Sequence, residues 1–332
     1  MKHKRTSSTL PRRIKRSLLR LPAKARQTAT AITTAFAPPP TVALPSVPLE
    51  SWQLTGAAIT GLAHWQKQLP CQDAVRWSQQ PRPVLVLADG AGSSAVSELG
   101  AQALTQGMLR FISSLEDEVS AWLDQDHHPD ALQALQTTWC LRLLRHAQGL
   151  LNDLAQNQRR SVRDVRATLQ IAVLGQKQCF WWQVGDGAIV VQEPTPPPAP
   201  QAPPPETSPP NAATTTMRVL GNSQQAKGEF ANQTCFVDAA SPSDVQCGHL
   251  PTHHTLGWVL MSDGGAEKLV AHDASRVAAR LGQWLERTAQ GKLSPQDLAV
   301  AYHEAAMWQR TTLDDRAIVL AGRSQPQPTD RA

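Results

Sequence analysis

In Val84-Leu85-Val86-Leu87-Ala88-Asp89-Gly90-Ala91-Gly92, a short, wholly apolar run delivers an aspartate to a turn that glycine makes tight. Such a run has the character of a buried strand. The same arrangement recurs downstream. Phe180-Trp181-Trp182-Gln183-Val184 leads into Gly185-Asp186-Gly187, and Trp258-Val259-Leu260-Met261 leads into Ser262-Asp263-Gly264-Gly265. In Leu313-Asp314-Asp315-Arg316 the order is reversed, and the acidic pair precedes Ala317-Ile318-Val319-Leu320. Any one Asp-Gly between apolar runs is the ordinary signal of a hairpin. Several carboxylates gathered at strand ends make a hard-oxygen cage for divalent cations. The order and context of the set decide between these readings.

In that order the set resembles the metal-dependent serine/threonine protein phosphatases of type 2C, in their bacterial form. Gly61-Leu62-Ala63-His64 with Pro70-Cys71-Gln72-Asp73-Ala74 is similar to the first acidic motif of that family. Ala88-Asp89-Gly90-Ala91-Gly92, followed by Ser97-Glu98-Leu99-Gly100-Ala101, resembles the central Asp-Gly motif and the helix after it. Ala167-Thr168-Leu169, Val184-Gly185-Asp186-Gly187, Met261-Ser262-Asp263-Gly264 and Asp314-Asp315 follow in the family's sequence, so the likeness covers roughly residues 55 to 322. Each motif is weak alone; together and in order they are specific.

The resemblance implies an α+β fold: two stacked, mainly antiparallel β-sheets flanked by helix pairs. It implies hydrolysis of phosphoserine and phosphothreonine through a metal-bridging hydroxide at a binuclear, Asp-lined centre. The cations would be Mn²⁺ or Mg²⁺, hard ions that suit a few carboxylates and several waters. Asp89 would bridge both metals, with the Gly90 carbonyl as a ligand. Asp263 would hold one metal and Asp314 the other, while Asp73 would act mainly through metal-bound waters. Asp164, four residues before Thr168, is the candidate for a third, weaker metal position; the alternative is a surface aspartate paired with Arg163 or Arg166. Asp186 reads as structural, holding its hairpin turn.

Two departures from the family stand out. Many relatives carry an arginine before the first acidic motif to grip the substrate phosphate; here the stretch is His64-Trp65-Gln66-Lys67-Gln68. Lys67 or His64 would take its place, although lysine offers a point charge instead of a fork. Some relatives carry a histidine directly after the Asp-Gly as a general acid. Ala91 stands there, which leaves leaving-group protonation to a metal-bound water or to His64.

Composition sets the bounds. The chain has 332 residues, 41% of them hydrophobic, enough for a sizeable core. No run approaches the ~20 apolar residues of a membrane span, and no apolar core follows the N-terminal charges as a secretory signal requires. The five cysteines, at 71, 140, 179, 235 and 247, form no Cys-x-x-Cys and suggest neither a disulfide framework nor a zinc site, so a reducing cytoplasm is the simpler setting. His127-His128 and His253-His254 read as solvated loops.

Residues 1–49 hold ten of the 32 Lys/Arg and no carboxylate, leaving 22 basic against 27 acidic residues elsewhere. The basic balance belongs to the tail, so nucleic-acid binding is not expected of the folded part. Leu10, Ile14, Leu18 and Leu21 recur at near-helical spacing among the tail's basic residues. An anionic membrane surface or an acidic partner would suit such a segment; a disordered solubilising tail is the plainer reading.

The expected organisation is a basic, Pro-rich, disordered tail at 1–50, a catalytic domain at 51–323 interrupted by a Pro-rich loop at 193–216, and a short disordered C-terminal tail at 324–332. Proline lacks the amide a ladder needs, so the interruption is no central strand. Strand character is read at Val84–Leu87, Leu169–Leu174, Cys179–Val184, Ala188–Val191, Met217–Leu220, Thr234–Val237, Trp258–Met261 and Ala317–Leu320. Helices are read at Ser97–Ser114, Asp130–Leu154, Ala274–Arg287 and Ser294–Gln309. The main functional expectation is a phosphatase acting on a protein phosphorylated by a Ser/Thr kinase. A phosphatase-like regulatory protein that binds a phosphorylated partner with little turnover, and an adaptor acting through tail and Pro-rich loop, are the alternatives.

Overall fold

The computed structural model describes residues 43–195, 215–221 and 234–324. The basic amphipathic stretch and most of the proline-rich interruption lie outside these residues. The strands are β1 (Trp52–Ile59), β2 (Ala74–Ser78), β3 (Val84–Ala88), β4 (Leu169–Leu174), β5 (Gln178–Val184), β6 (Ala188–Pro194), β7 (Thr215–Leu220), β8 (Gln246–Pro251), β9 (Gly257–Met261) and β10 (Arg316–Arg323). They form two five-stranded sheets, in the orders β1-β10-β9-β6-β7 and β2-β3-β4-β5-β8. Every described pairing is antiparallel.

The apolar runs are unbroken because each central strand is covered on both faces. Side chains alternate across a strand. In β3, Leu85 and Leu87 enter the layer between the sheets, with Trp52, Trp258, Leu260 and Val319. Val84, Val86 and Ala88 point the other way, onto helices α2 (Ser97–Ser114) and α4 (Pro129–Asn157). The second sheet repeats this. Val259 and Met261 of β9 and Ile318 and Leu320 of β10 meet α6 (Ala279–Ala289) and α7 (Pro295–His303). The result is the α+β sandwich of helices, sheet, sheet and helices. The shorter helices are α1 (Leu62–Gln66), α3 (Glu116–Leu123), α5 (Asp263–Ala266) and α8 (Ala305–Trp308).

Several sequence expectations are corrected. Thr234–Val237 is not a strand: it is irregular and runs into a 3-10 turn, Val237–Ala239, whose first amide donates to the Ala167 carbonyl at 3.0 Å. The helix expected from Ala274 begins at Ala279, since Ala274 takes a left-handed conformation at φ 57°. The helix expected over Ser294–Gln309 is broken at Glu304, whose ψ of 135° is extended. None of the Asp-Gly turns is a hairpin. Asp89 and Asp263 stand between a strand and a helix, and Asp186 lies where the chain passes from β5 in one sheet to β6 in the other. Structure also begins before residue 50: Val47 is buried, and its amide donates to the Gln176 carbonyl at 2.8 Å.

Candidate metal centre

The acidic residues converge where strands of both sheets end. Asp89 follows β3 and is locked to the segment before β4. Its amide donates to Thr168 Oγ1 at 3.1 Å, and the Thr168 amide donates to the Asp89 carbonyl at 2.8 Å. Gly90 continues the lock, with its amide on the Gln72 carbonyl at 3.1 Å. A Cβ on Gly90 would stand 2.7 Å from that carbonyl oxygen and 2.9 Å from Ser97 Cβ, so only glycine fits. This ties Asp89 to the loop that carries Asp73.

Asp263 opens α5. The Ser262 hydroxyl caps that helix, accepting from the Gly265 amide at 3.3 Å and from the Ala317 amide of β10 at 2.9 Å. The Gly264 amide donates to Asp263 Oδ1 at 2.5 Å. Asp314 and Asp315 enter β10 behind Leu313, which is held left-handed at φ 61°. Such strain in a branched residue costs about 1–3 kcal/mol and persists only where the surroundings enforce it. Here the Leu313 carbonyl accepts from the Ala63 amide at 3.1 Å. Arg316 anchors the same loop from below: its guanidinium lies 3.6 Å over the Trp308 ring and donates to the Met307 carbonyl at 2.8 Å.

The electrostatics are those of carboxylates crowded without a counter-charge. Asp73 is held well above the ordinary carboxylate range by lost hydration, eased by a hydrogen bond with Ser262 and reinforced by Asp315, Asp263 and Asp314. Asp89 is also raised, by burial first, then by Asp73 and Asp263 and more weakly by Asp186. Asp263 stays open to solvent on one side, yet lost hydration raises it, followed by Asp186 and Asp314; bonds with Asp89 and the Gly264 amide pull it back. Burial disfavours the charged form and like charges add to the penalty. Burial, followed by Asp73 and Asp315, also pushes the Cys71 thiol up, which keeps it unreactive.

This donor set fits hard divalent cations. Asp73 Oδ2 is buried with no hydrogen-bond partner among the described residues. Such an orphan, surrounded by other carboxylates, wants a cation and several waters. Strand ends place Asp73, Asp89, Asp263 and Asp314 in one charge cluster.

Not all expected residues join the cluster. Asp164 caps a 3-10 turn, Val162–Val165, with Oδ2 accepting from the Ser161 amide at 3.2 Å. The ion pair imagined for it is absent among the described residues: Arg166 instead pairs with buried Asp238 at 2.8 Å. Lys67 is exposed beyond the end of α1. His64 stands on α1 with Nδ1 donating to Asp315 Oδ2 at 2.9 Å.

Two residues were missed as parts of the site. Asp186 is close enough to raise both Asp89 and Asp263, and its Oδ2 accepts from Thr234 Oγ1 at 2.7 Å. Asp315 is the other. It is buried and accepts from the Gly61 amide at 2.6 Å, the Gln72 amide at 2.6 Å and His64. The doubled Asp314-Asp315 was its only signal in the sequence.

A family described as protein phosphatase 2C matches residues 60–300. A curated relative, serine/threonine-protein phosphatase 3 of Escherichia coli (strain K12), is 29% identical over 147 residues, 42% of this chain and 53% of the relative. The chain thus spans about half the length of that relative. Among solved structures, a serine-threonine phosphatase 2C from Toxoplasma gondii superposes with a TM-score of 0.51 at 13% identity, covering 87% of this chain and all of the other. A bacterial serine phosphatase carrying an arginine-to-lysine substitution gives 0.52 at 13% identity, over 82% of this chain and 98% of that one. At such identity these likenesses establish the sandwich fold alone.

Proposed function

The chain belongs to the protein phosphatase 2C family, and on that premise we propose that it is a metal-dependent phosphatase hydrolysing phosphoserine and phosphothreonine in proteins phosphorylated by a Ser/Thr kinase. The observation that carries the reading is the cluster of Asp73, Asp89 and Asp263, each raised by burial and by its acidic neighbours, with one buried carboxylate oxygen unpartnered.

In this reading Asp89 and the Gly90 carbonyl would hold two cations, Mn²⁺ or Mg²⁺, with Asp263 on one and Asp314 on the other, and Asp73 would act through their waters. When bound, such ions would neutralise phosphate oxygens and lower the pKa of a bound water towards neutrality. The chain's own contribution is rigidity. The Thr168 lock, the Gly90 contact and the Ser262 cap fix three carboxylates on separate elements before any ligand arrives, which is what preorganised electrostatic stabilisation requires. Lys67 is the candidate to meet the substrate phosphate, and His64 is either a second phosphate contact or a proton donor. Oδ2 of Asp164 is engaged with Ser161, so a third, weaker cation at Asp164 would sit apart from the first two.

The protein is assigned to the cytoplasm, in keeping with five free thiols. No described helix is long and apolar enough to cross a membrane. An anionic surface or acidic partner for the basic tail remains part of the proposal. The test is hydrolysis of p-nitrophenyl phosphate by chelator-treated protein on readdition of Mn²⁺ or Mg²⁺. Metal-restored turnover that Asp263→Asn and Asp314→Asn each abolish supports the assignment. Tight binding of a phosphopeptide without turnover would contradict it in favour of a regulatory binder.

A further inference from the structure

Asp315 is only 3% exposed, yet it stands beside the solvent-facing Asp314. Its Oδ1 accepts from the Gly61 amide at 2.6 Å, and its Oδ2 from the Gln72 amide at 2.6 Å and from His64 Nδ1 at 2.9 Å. Both oxygens are thus occupied by donors from two other segments of the first acidic motif. A carboxylate so engaged is a poor metal ligand and a good positioning group. It can only accept, so the proton between the pair lies on His64 Nδ1. That leaves Nε2, for which no described residue provides a hydrogen-bond partner, as the nitrogen that exchanges a proton. The imidazole lies at the edge of the acidic cluster: one of its ring nitrogens and a carboxylate oxygen of Asp314 are within 4.8 Å of each other. On the loop after Asp89, Ala91 has no proton to give.

We propose that His64 is the leaving-group acid of the reaction and that Asp315 is the positioning residue that fixes its tautomer and aim. The inference rests on the phosphatase reading and deepens it. As a hydroxide oxygen bonds to phosphorus, the phosphorus–oxygen ester bond breaks and its electron pair passes to the seryl or threonyl oxygen. That oxygen takes the proton from His64 Nε2 and departs as the alcohol. The ring is left neutral with its proton on Nδ1, facing Asp315, and recovers the other proton from solvent. Asp315 gains and loses nothing; it works as an orienting carboxylate works behind a catalytic imidazole.

The test compares leaving groups. A seryl oxygen is a very poor anion and needs the proton, whereas p-nitrophenolate leaves without one. In the full-length protein with Mn²⁺, His64→Gln is expected to slow hydrolysis of a phosphoserine peptide about 100-fold, within the usual worth of a general acid. On p-nitrophenyl phosphate the loss should be at least tenfold smaller. Asp315→Asn should shift the ratio in the same direction. Nitrogen-15 spectra of His64 should show the Nδ1–H tautomer in the wild type and its loss in that variant. Equal losses on both substrates would overturn the acid role and make His64 a phosphate contact. An unchanged tautomer in Asp315→Asn would overturn the positioning role. If Asp315→Asn folds poorly, the His64→Gln ratio decides alone. A wild type inert on both substrates would overturn the phosphatase reading, and this assignment with it.

Discussion

Gly61 is the place where one methyl group should separate the first acidic motif from the last. Its backbone, at φ −64° and ψ 152°, suits any residue. Alanine there would ordinarily stabilise by about 0.4–1 kcal/mol, through the unfolded chain. The contact reverses the sign. A Cβ on Gly61 would lie 2.3 Å from the Asp314 carbonyl carbon, 2.4 Å from its oxygen and 2.6 Å from the Asp315 nitrogen. All three are backbone atoms, so no rotamer offers escape. Restoring ordinary contact near 3.4 Å requires the two strands of chain to part by roughly 1 Å. Overpacking of that kind costs about 1–3 kcal/mol. Stretching the 2.6 Å bond from the Gly61 amide to Asp315 forfeits part of a charge-assisted interaction, itself worth about 1.5–3 kcal/mol. The expected net loss for Gly61→Ala is about 2–4 kcal/mol, a fall in Tm of roughly 4–8 °C for a domain of this size. A displacement of about 1 Å at Asp314 should also cost on the order of 100-fold in kcat/KM. Thermal unfolding and p-nitrophenyl phosphate kinetics at saturating Mn²⁺ measure both. A variant as stable and as active as the wild type would refute the claimed coupling of Gly61 to Asp314.

Asp89→Asn should abolish metal-dependent hydrolysis, yet raise the Tm of chelator-treated protein at neutral pH. The folded Asp89 carboxyl is raised, so above the unfolded value near 3.9 the native state holds more protons and stability falls as pH rises. The variant should show a shallower fall between acidic and neutral pH; a steeper one would contradict the crowding of carboxylates. Asp164→Asn keeps an acceptor for the Ser161 amide and removes the charge. Lower kcat and a higher Mn²⁺ requirement at nearly unchanged Tm are expected, and an unchanged kcat across a Mn²⁺ titration would return Asp164 to its cap alone. Deleting residues 1–42 should leave small-substrate turnover intact, because no proposed ligand lies there. If the tail docks on anionic lipid, with about 1 kcal/mol per Lys or Arg near the surface, the full chain should bind such vesicles in a salt-sensitive way and the truncation should not.

Much of the fold was legible because β3, β9 and β10 are covered on both faces and so read as unbroken apolar runs. The strands that escaped notice lack that signature. β1 and β2 mix polar residues into their sequences, and β8, at a sheet edge, is only half-buried throughout. Thr234–Val237 misled because local apolar character cannot say whether a ladder partner exists, and at Val237 the partner is a single carbonyl, that of Ala167. Asp89 and Asp263 could be read because each follows an apolar strand. Asp315 could not, since its role is set by the Gly61 and Gln72 amides, 254 and 243 positions away in the chain. Asp186 was taken for a hairpin residue for a related reason: nothing in its sequence says that β5 and β6 belong to different sheets.

The central claim is that the aspartate cluster exists to hydrolyse a phosphate ester with divalent cations. Phosphate release from a phosphoserine peptide tests it most directly, with wild type and Asp89→Asn measured side by side after chelation and again with Mn²⁺ restored. Release by the wild type only when Mn²⁺ is present, and none by the variant under either condition, is the predicted result. Release that ignores the chelator, or that survives in Asp89→Asn at the wild-type rate, would contradict it.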